Sequence, residues 1–408
     1  MIRVFILNGY MLKLEMMRRL LFFHLLFVTV LFSFVGCQSK KDVISITSIN
    51  IDPYSNKNIN LSTLIDEFHI IPLETTPDCF VGNVDKIRFI KDRIYVFEEF
   101  GSQRLLCFSN DGKFLHQVGR AGKAEGEYIT PRDFIVNPYS NRVELYDIAS
   151  NRMLYYDTNG NYMASNSIRR KLRGITLIDS LHYGCFNDGE YEDLPYNFFV
   201  SPVDEFDVQN VSLPFLGQRD VMNDLNPFSH NGSSTLFAYS LNDTIYNVSP
   251  NGAEPKFVVN YMGERIPDAL LREGQMQDIV EFIQKNRVPS FISHLSETDS
   301  FITFSYRYDF TAYNTVFYKK KDGAVINIYN PQNDINYLPF SPPVCVFNNS
   351  FVSVVPAFEV VSIYSELTEI KKNSPDKVNS LVYDKLEEIA LNLKEDSNPI
   401  LMVYTLRD

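Results

Sequence analysis

Hydrophobic residues along this chain come in short runs broken by turn residues, and the runs repeat. "RIYVFEEFGSQRLLCFSNDGKFL" (Arg93 to Leu115) aligns, with one gap, on "RVELYDIASNRMLYYDTNGNYM" (Arg142 to Met163), an offset of about 48 residues. Four turn dipeptides punctuate the pattern: Asp111-Gly112, Asn159-Gly160, Asn251-Gly252 and Asp322-Gly323. Each follows a short apolar segment ("RLLCF", "RMLYY", "TIYNV", "TVFYK"). Such dipeptides mark hairpins and predict type I′ turns, which need positive φ at both central residues. Several short strands per unit at this period are what a β-propeller blade requires. The pattern predicts an all-β fold, a six-bladed β-propeller whose inner strands begin near Val84, Asp133, Gly174, Phe228, Phe291 and Val344. The third blade is the least regular. The N-terminal "HIIPLE" and C-terminal "ILMVYTL" have no blade of their own, so they are expected to pair and close the ring with "VCVF" and "FVSVV".

Two segments change to the helical period and predict insertions on the propeller rim. In residues 266–287, Ile266, Leu270, Ile279 and Ile283 share one face, with Pro267 in the first turn. In residues 374–395, Ser374 and Pro375 read as N-cap and first position, ahead of a stripe of Val378, Leu381, Val382, Leu386, Ile389 and Leu393. The N-terminus follows neither period. From Met16, the pair Arg18 and Arg19 precedes an apolar run from Leu20 to Phe34, the layout of a secretory signal with a start at Met16 or Met17. The expected organisation is a signal over 1–37, a polar tether over 38–66 and the propeller over 67–408.

Composition excludes more than it selects. Lys and Arg number 38 against 50 Asp and Glu, a net charge of −12, which argues against nucleic acid as a partner. The 5 Cys form no C-x-x-C pair, and Cys107 and Cys345 lie within apolar strands, as buried thiols do. The 6 His show no ligand spacing, so neither a metal nor a cofactor is expected. The acidic run "NDGEYED" (Asn187 to Asp193) lacks the spacing of a calcium loop and reads as solvated.

The stretch "QVGRAGKAEGEYITPRDF" (Gln117 to Phe134) has the glycines and lysine of a phosphate loop, but Gly119 and Gly122 are too close and Ala124 follows Lys123. It resembles instead the inter-blade loop of NHL-type repeats, through Gly119, Gly122, Gly126, Glu127, Tyr128 and Pro131. Together with "FHIIPLETT" (Phe68 to Thr76) and the C-terminal "EDSNPILMVYTLRD", it makes the chain resemble a family of six-bladed β-propeller lipoproteins of the Bacteroidota. "FVGC" resembles the lipobox of bacterial lipoproteins, with Gly36 as the small residue and Phe34 in place of the usual leucine. The resemblance implies cleavage before Cys37, lipidation of that cysteine, and a membrane partner reached through the lipid anchor. It implies a place in the cell envelope, at the outer membrane, and no shared catalytic residue set.

Two functions remain. One is a binding or scaffold module for a protein, a glycan or a small anionic ligand, since propellers present loops from a rigid body. Its expected site lies at the inner-strand entrances, at Arg132, Asp133, Arg173 and His230, where two arginines beside one carboxylate suit an anion. The alternative is a propeller enzyme of the lyase, lactonase or glycosidase type. Glycosidases need two spaced carboxylates, and a complete sialidase Asp-box needs a Trp, of which the chain has 0. Binding without turnover is the expectation.

Overall fold

The strands that read as almost continuously apolar are those with both faces covered. In "RIYVFE" (Arg93–Glu98), Ile94 and Val96 face one hydrophobic cluster, while Tyr95 and Phe97 face the next. Successive side chains point to opposite faces of a strand, so a strand between two packed sheets needs apolar residues at every position. The outer strand Tyr162–Ser167, "YMASNS", covers no second sheet and is largely polar.

The computed structural model describes residues 46–55, 59–187, 193–215, 226–232, 234–307 and 313–407. The expected signal segment with Cys37, and residues 188–192 of the acidic run, lie outside the described residues. The described chain is a six-bladed β-propeller. Its innermost strands are Lys86–Ile90, Pro131–Asn137, Gly174–Leu177, Phe228–Asn231, Ser290–Glu297 and Cys345–Phe347. We number the blades one to six in that order. Each interface between neighbouring blades holds its own hydrophobic cluster, from blades one and two around to blades six and one. Cys79, Cys107, Cys185 and Cys345 are buried free thiols among the described residues.

Blade six closes the ring. Ile400–Leu406 lies between Ser350–Val355 on one side and Ile65–Pro72 on the other, with Val403 paired to both Val352 and His69. The N-terminal segment does more than the expected tether. Thr47–Ile51 adds a fifth strand to blade four, parallel to its outer strand, with Ile49 and Ile51 fully buried. The alternation of "SINI" is too short to stand out in a polar stretch, and the partner strand lies some two hundred residues away, from Phe257 to Tyr261. The chain then bridges to blade five at Gln332 and enters blade six, so one segment clasps three successive blades.

The turns and helices differ in detail from the sequence pattern. At Gly112 and Gly160 only the glycine has positive φ, and its N–H donates to the carbonyl three residues back, Ser109 and Asp157. The hairpins therefore use a three-residue loop, a type I turn closed by a glycine bulge, rather than the two-residue type I′ form. The insertion near 266–287 is two helices, α1 (Asp268–Glu273) and α2 (Met276–Asn286), separated at Gly274. After blade six's second strand comes α3 (Ala357–Asn373), which the sequence pattern did not predict, and then α4 (Ser380–Ala390). Ser374 precedes only a short 3₁₀ turn; the N-cap of α4 is Asn379, whose side chain accepts from the amides of Leu381 and Val382. Within the expected stripe Leu386 is fully buried, but Leu381 faces solvent.

Candidate functional site

The six innermost strands surround a cavity of about 300 Å³, and each blade contributes to its wall. Blade one supplies Lys86 and Arg88, two residues apart in "KIRFI" and so on one side of the strand. Blades three and four supply Thr176, Ser229 and His230, and blade five Ser296. The remaining wall is mostly aliphatic and aromatic, including Phe134, Ile135, Val136, Phe228, Leu295 and Val346.

Lys86 is held from the neighbouring blade. Its ammonium pairs with Oδ1 of Asp133, which also accepts the Phe134 amide at 2.7 Å; Oδ2 accepts the Ile175 amide at 2.9 Å. Both ionic partners are buried. Burial pushes the Lys86 ammonium down to about 8; the nearby Arg88 charge acts the same way, and Asp133 offsets part of the shift. Arg88 donates to the Ile87 carbonyl at 2.9 Å and to Oδ1 of Asn226 at 2.6 Å. Asn226 in turn donates to the Val344 carbonyl at 2.9 Å, so blades one, four and six are tied together around the guanidinium.

His230 presents its ring to the cavity and is fixed at both nitrogens: Nε2 lies 2.5 Å from Oγ1 of Thr176, and Nδ1 lies 3.1 Å from Oγ1 of Thr235. The ring is accessible from the channel but sits deep among the blades. Desolvation therefore pushes it down to about 3, with the positive charges of Arg88 and Lys86 adding to the effect. At neutral pH the imidazole is uncharged, with one nitrogen donating and the other accepting. The channel charge is thus that of Lys86 and Arg88, and no Asp or Glu lines the cavity among the described residues.

Of the four residues singled out from sequence, His230 lines this cavity. Asp133 stands behind the wall, its oxygens taken by Lys86 and two amides. Arg132 turns to Glu99, whose carboxyl burial lifts to about 7 even with that guanidinium beside it. Arg173 precedes the inner strand of blade three, where its amide donates to the Phe186 carbonyl at 2.9 Å, and it is not part of the cavity wall. The residues missed were Lys86, Arg88, Thr176 and Asn226. A signal existed for two of them: a Lys-x-Arg spacing inside the first predicted inner strand. Among the described residues, no three His, Cys, Asp or Glu side chains are grouped to hold a metal ion, and no helix is long and apolar enough to cross a membrane.

The fold has solved counterparts. A protein of Bacteroides fragilis NCTC 9343, named for its inferred export, superposes with a TM-score of 0.72 at 19% identity, covering 89% of this chain and 100% of its own. A member of the DUF4221 family from Bacteroides vulgatus ATCC 8482 superposes with a TM-score of 0.50 at 9% identity, covering 85% of this chain and 98% of its own. At these identities the likeness concerns the fold alone. Comparison with curated proteins gives no match. A match over residues 46–405, from the fifth strand of blade four to the closing strand of blade six, places the chain in the DUF4934 family, a domain of unknown function.

Proposed function

We propose that the protein is an exported propeller, held at the outer membrane through a lipid on Cys37, whose central channel binds a small anionic ligand without turning it over. The observation that carries the binding reading is the charge of the channel wall. It holds two cations, Lys86 and Arg88, beside a neutral His230, and no carboxylate among the described residues. A guanidinium and an ammonium in a partly desolvated cleft suit an oxyanion, because charge-assisted hydrogen bonds strengthen away from water. Glycosidase chemistry would need a second role for a carboxylate facing the cleft, and Asp133 is already engaged by Lys86.

The export reading draws on the "RRLLFF…FVGC" segment and on a like-folded protein of Bacteroides fragilis named for its inferred export. The test of the binding reading is calorimetric titration of inorganic phosphate, citrate and acetate into the protein. Arg88→Gln should weaken anion binding at least tenfold, while Arg132→Ala and Arg173→Ala should leave it unchanged. Binding that survives Arg88→Gln would remove the site from the channel.

A further inference from the structure

Residues 262–289 form the longest connection between two blades, running from the outer strand of blade four (Gly252–Tyr261) to the inner strand of blade five. Helices α1 and α2 lie in it. Ile279 and Ile283 of α2 pack on Phe291 of blade five, with Leu241 of blade four beside them, so the insertion is seated on both blades. A pocket of about 200 Å³ remains between the insertion and the strand ends, and it shares no residue with the channel. Its charged wall, among the described residues, is Asp243, Glu264 and Asp268 against one guanidinium, Arg265. Arg265 pairs with Asp243 at 2.7 Å from a largely exposed position, a contact that water screens. Tyr261, which ends the outer strand of blade four, supplies an independent feature. Its ring packs on Tyr306 of blade five at 5.0 Å between centroids. The residue is only 8% exposed, it lines the pocket, and its hydroxyl has no hydrogen-bond partner among the described residues. A buried hydroxyl is normally paired, so this one marks a place for a ligand atom. Burial lifts that hydroxyl well above its ordinary range and the Asp243 charge adds to the shift, which puts the two groups within electrostatic reach of each other. Burial also lifts the Asp243 carboxyl, and Arg265 offsets only part of that.

We propose that this pocket binds a small primary amine, whose ammonium donates to the Asp243 carboxylate and to the Tyr261 hydroxyl. An ammonium has three N–H donors and no acceptor, which matches an excess of carboxylates beside an unpaired hydroxyl. An anion would meet three carboxylates for one guanidinium. A metal ion needs closely grouped ligands, and no three His, Cys, Asp or Glu are so grouped among the described residues. The wall also holds Ile266, Leu271, Val288 and Phe291, which suit a short hydrocarbon body on the amine. Drug-sized ligands fill about 300–1,000 Å³, so this space takes a smaller molecule.

The experiment titrates butylammonium, tetramethylammonium, 1-butanol and butyrate calorimetrically into the purified protein. Butylammonium should bind about tenfold or more tightly than the alcohol and the anion, and more tightly than tetramethylammonium, which has the charge but no N–H. Asp243→Asn should weaken butylammonium about tenfold or more, the size of a hydrogen bond to a charged group. Arg265→Gln should tighten it by removing the competitor for Asp243, whereas an anion site would respond in the opposite sense. Tyr261→Phe should weaken the amine about fivefold, the size of one hydrogen bond. The same change should leave the melting temperature of the unliganded protein unchanged or higher, since the lost hydroxyl has no partner there. A structural hydroxyl would give the reverse, a lower melting temperature with unchanged amine binding, and that result would overturn the proposal. So would the absence of saturable butylammonium binding, butyrate binding as tightly as butylammonium, or indifference to Asp243→Asn in a variant that melts like the parent.

Discussion

Asp133 holds Lys86 from the next blade: the Lys86 ammonium on blade one pairs with Oδ1 of Asp133 on blade two, and Oδ2 of the same carboxylate accepts the Ile175 amide of blade three. One side chain thus ties three consecutive blades at the axis, and it does so out of water. Removing the carboxylate alone leaves a buried ammonium and takes the side-chain acceptor from two amides, Phe134 and Ile175. Breaking a buried pair from one side typically costs about 3–5 kcal/mol. Asp133→Ala should therefore lose that much stability in urea denaturation. Replacing both partners, Lys86→Met with Asp133→Ala, should lose less than Asp133→Ala alone. A double variant less stable than the single one would show that Lys86 stabilises the fold without Asp133, so that an unpaired buried ammonium is not what the single variant suffers from.

The second prediction concerns acid. His230 is pushed down to about 3 in the folded chain, against an ordinary value near 6.5 when unfolded. Between those values the unfolded chain binds a proton that the folded chain refuses, so stability falls as pH drops from about 6.5 towards 3. Glu99, lifted to about 7, works in the opposite sense: the folded chain gains the proton first, so acidification through 7 towards 4.5 relieves its burial. His230→Gln removes the first contribution and keeps the second. The variant should lose less stability than the parent between pH 6.5 and pH 4, measured by denaturation at each pH. Parallel losses in the two proteins would show that the ring is free to protonate in the fold.

Much of this architecture is legible in the sequence because propeller blades repeat and their central strands are covered on both faces. The inner-strand starts near Gly174 and Phe228 coincide with the structure. Helix α3 was not legible: only Pro356 separates "AFEVVSIYSELTEI" from the apolar "FVSVV", and its helical stripe (Val360, Ile363, Leu367) merges with the period of the strand before it. The fifth strand of blade four escaped for a different reason. Its partner lies far along the chain, and five residues carry too little pattern to declare a pairing. At the site, a sequence can show that Asp133 and Arg132 stand at a strand entrance. It cannot show that Lys86 and Glu99, from the preceding blade, have already claimed them.

The third prediction follows from the N-terminal segment. "FVGC" after an apolar run makes Cys37 the expected acylation site. One acyl chain holds a protein only marginally, and stable anchoring takes more than one, at about 0.8 kcal/mol per buried CH₂. Cys37→Ala should move the protein from the membrane fraction to the soluble one, or leave it unprocessed at a higher mass. Retention in the membrane with unchanged processing would dismiss the lipid anchor, while the propeller would stand as described.

The last prediction separates the two N-terminal clasps from the C-terminal one. Ile400–Leu406 is the third strand of blade six and has neighbours on both sides. Removing it takes out Ile400, Leu401, Met402, Val403, Tyr404 and Leu406, all buried. At about 1.5–3 kcal/mol per buried apolar side chain, the loss is comparable to or above the whole stability of a typical domain, about 5–15 kcal/mol. It also strips Ile65–Pro72 of its partner and opens an unpaired edge on Ser350–Val355, an invitation to aggregation. Thr47–Ile51 is an added outer strand, and its deletion uncovers chiefly Ile49 and Ile51, about 3–6 kcal/mol on the same scale. Starting from residues 38–408, truncation to 53–408 should give a folded protein with a lowered melting temperature. Truncation to 38–398 should give no cooperative transition. Cooperative melting of 38–398 near the parent temperature would show that the ring does not depend on its C-terminal strand.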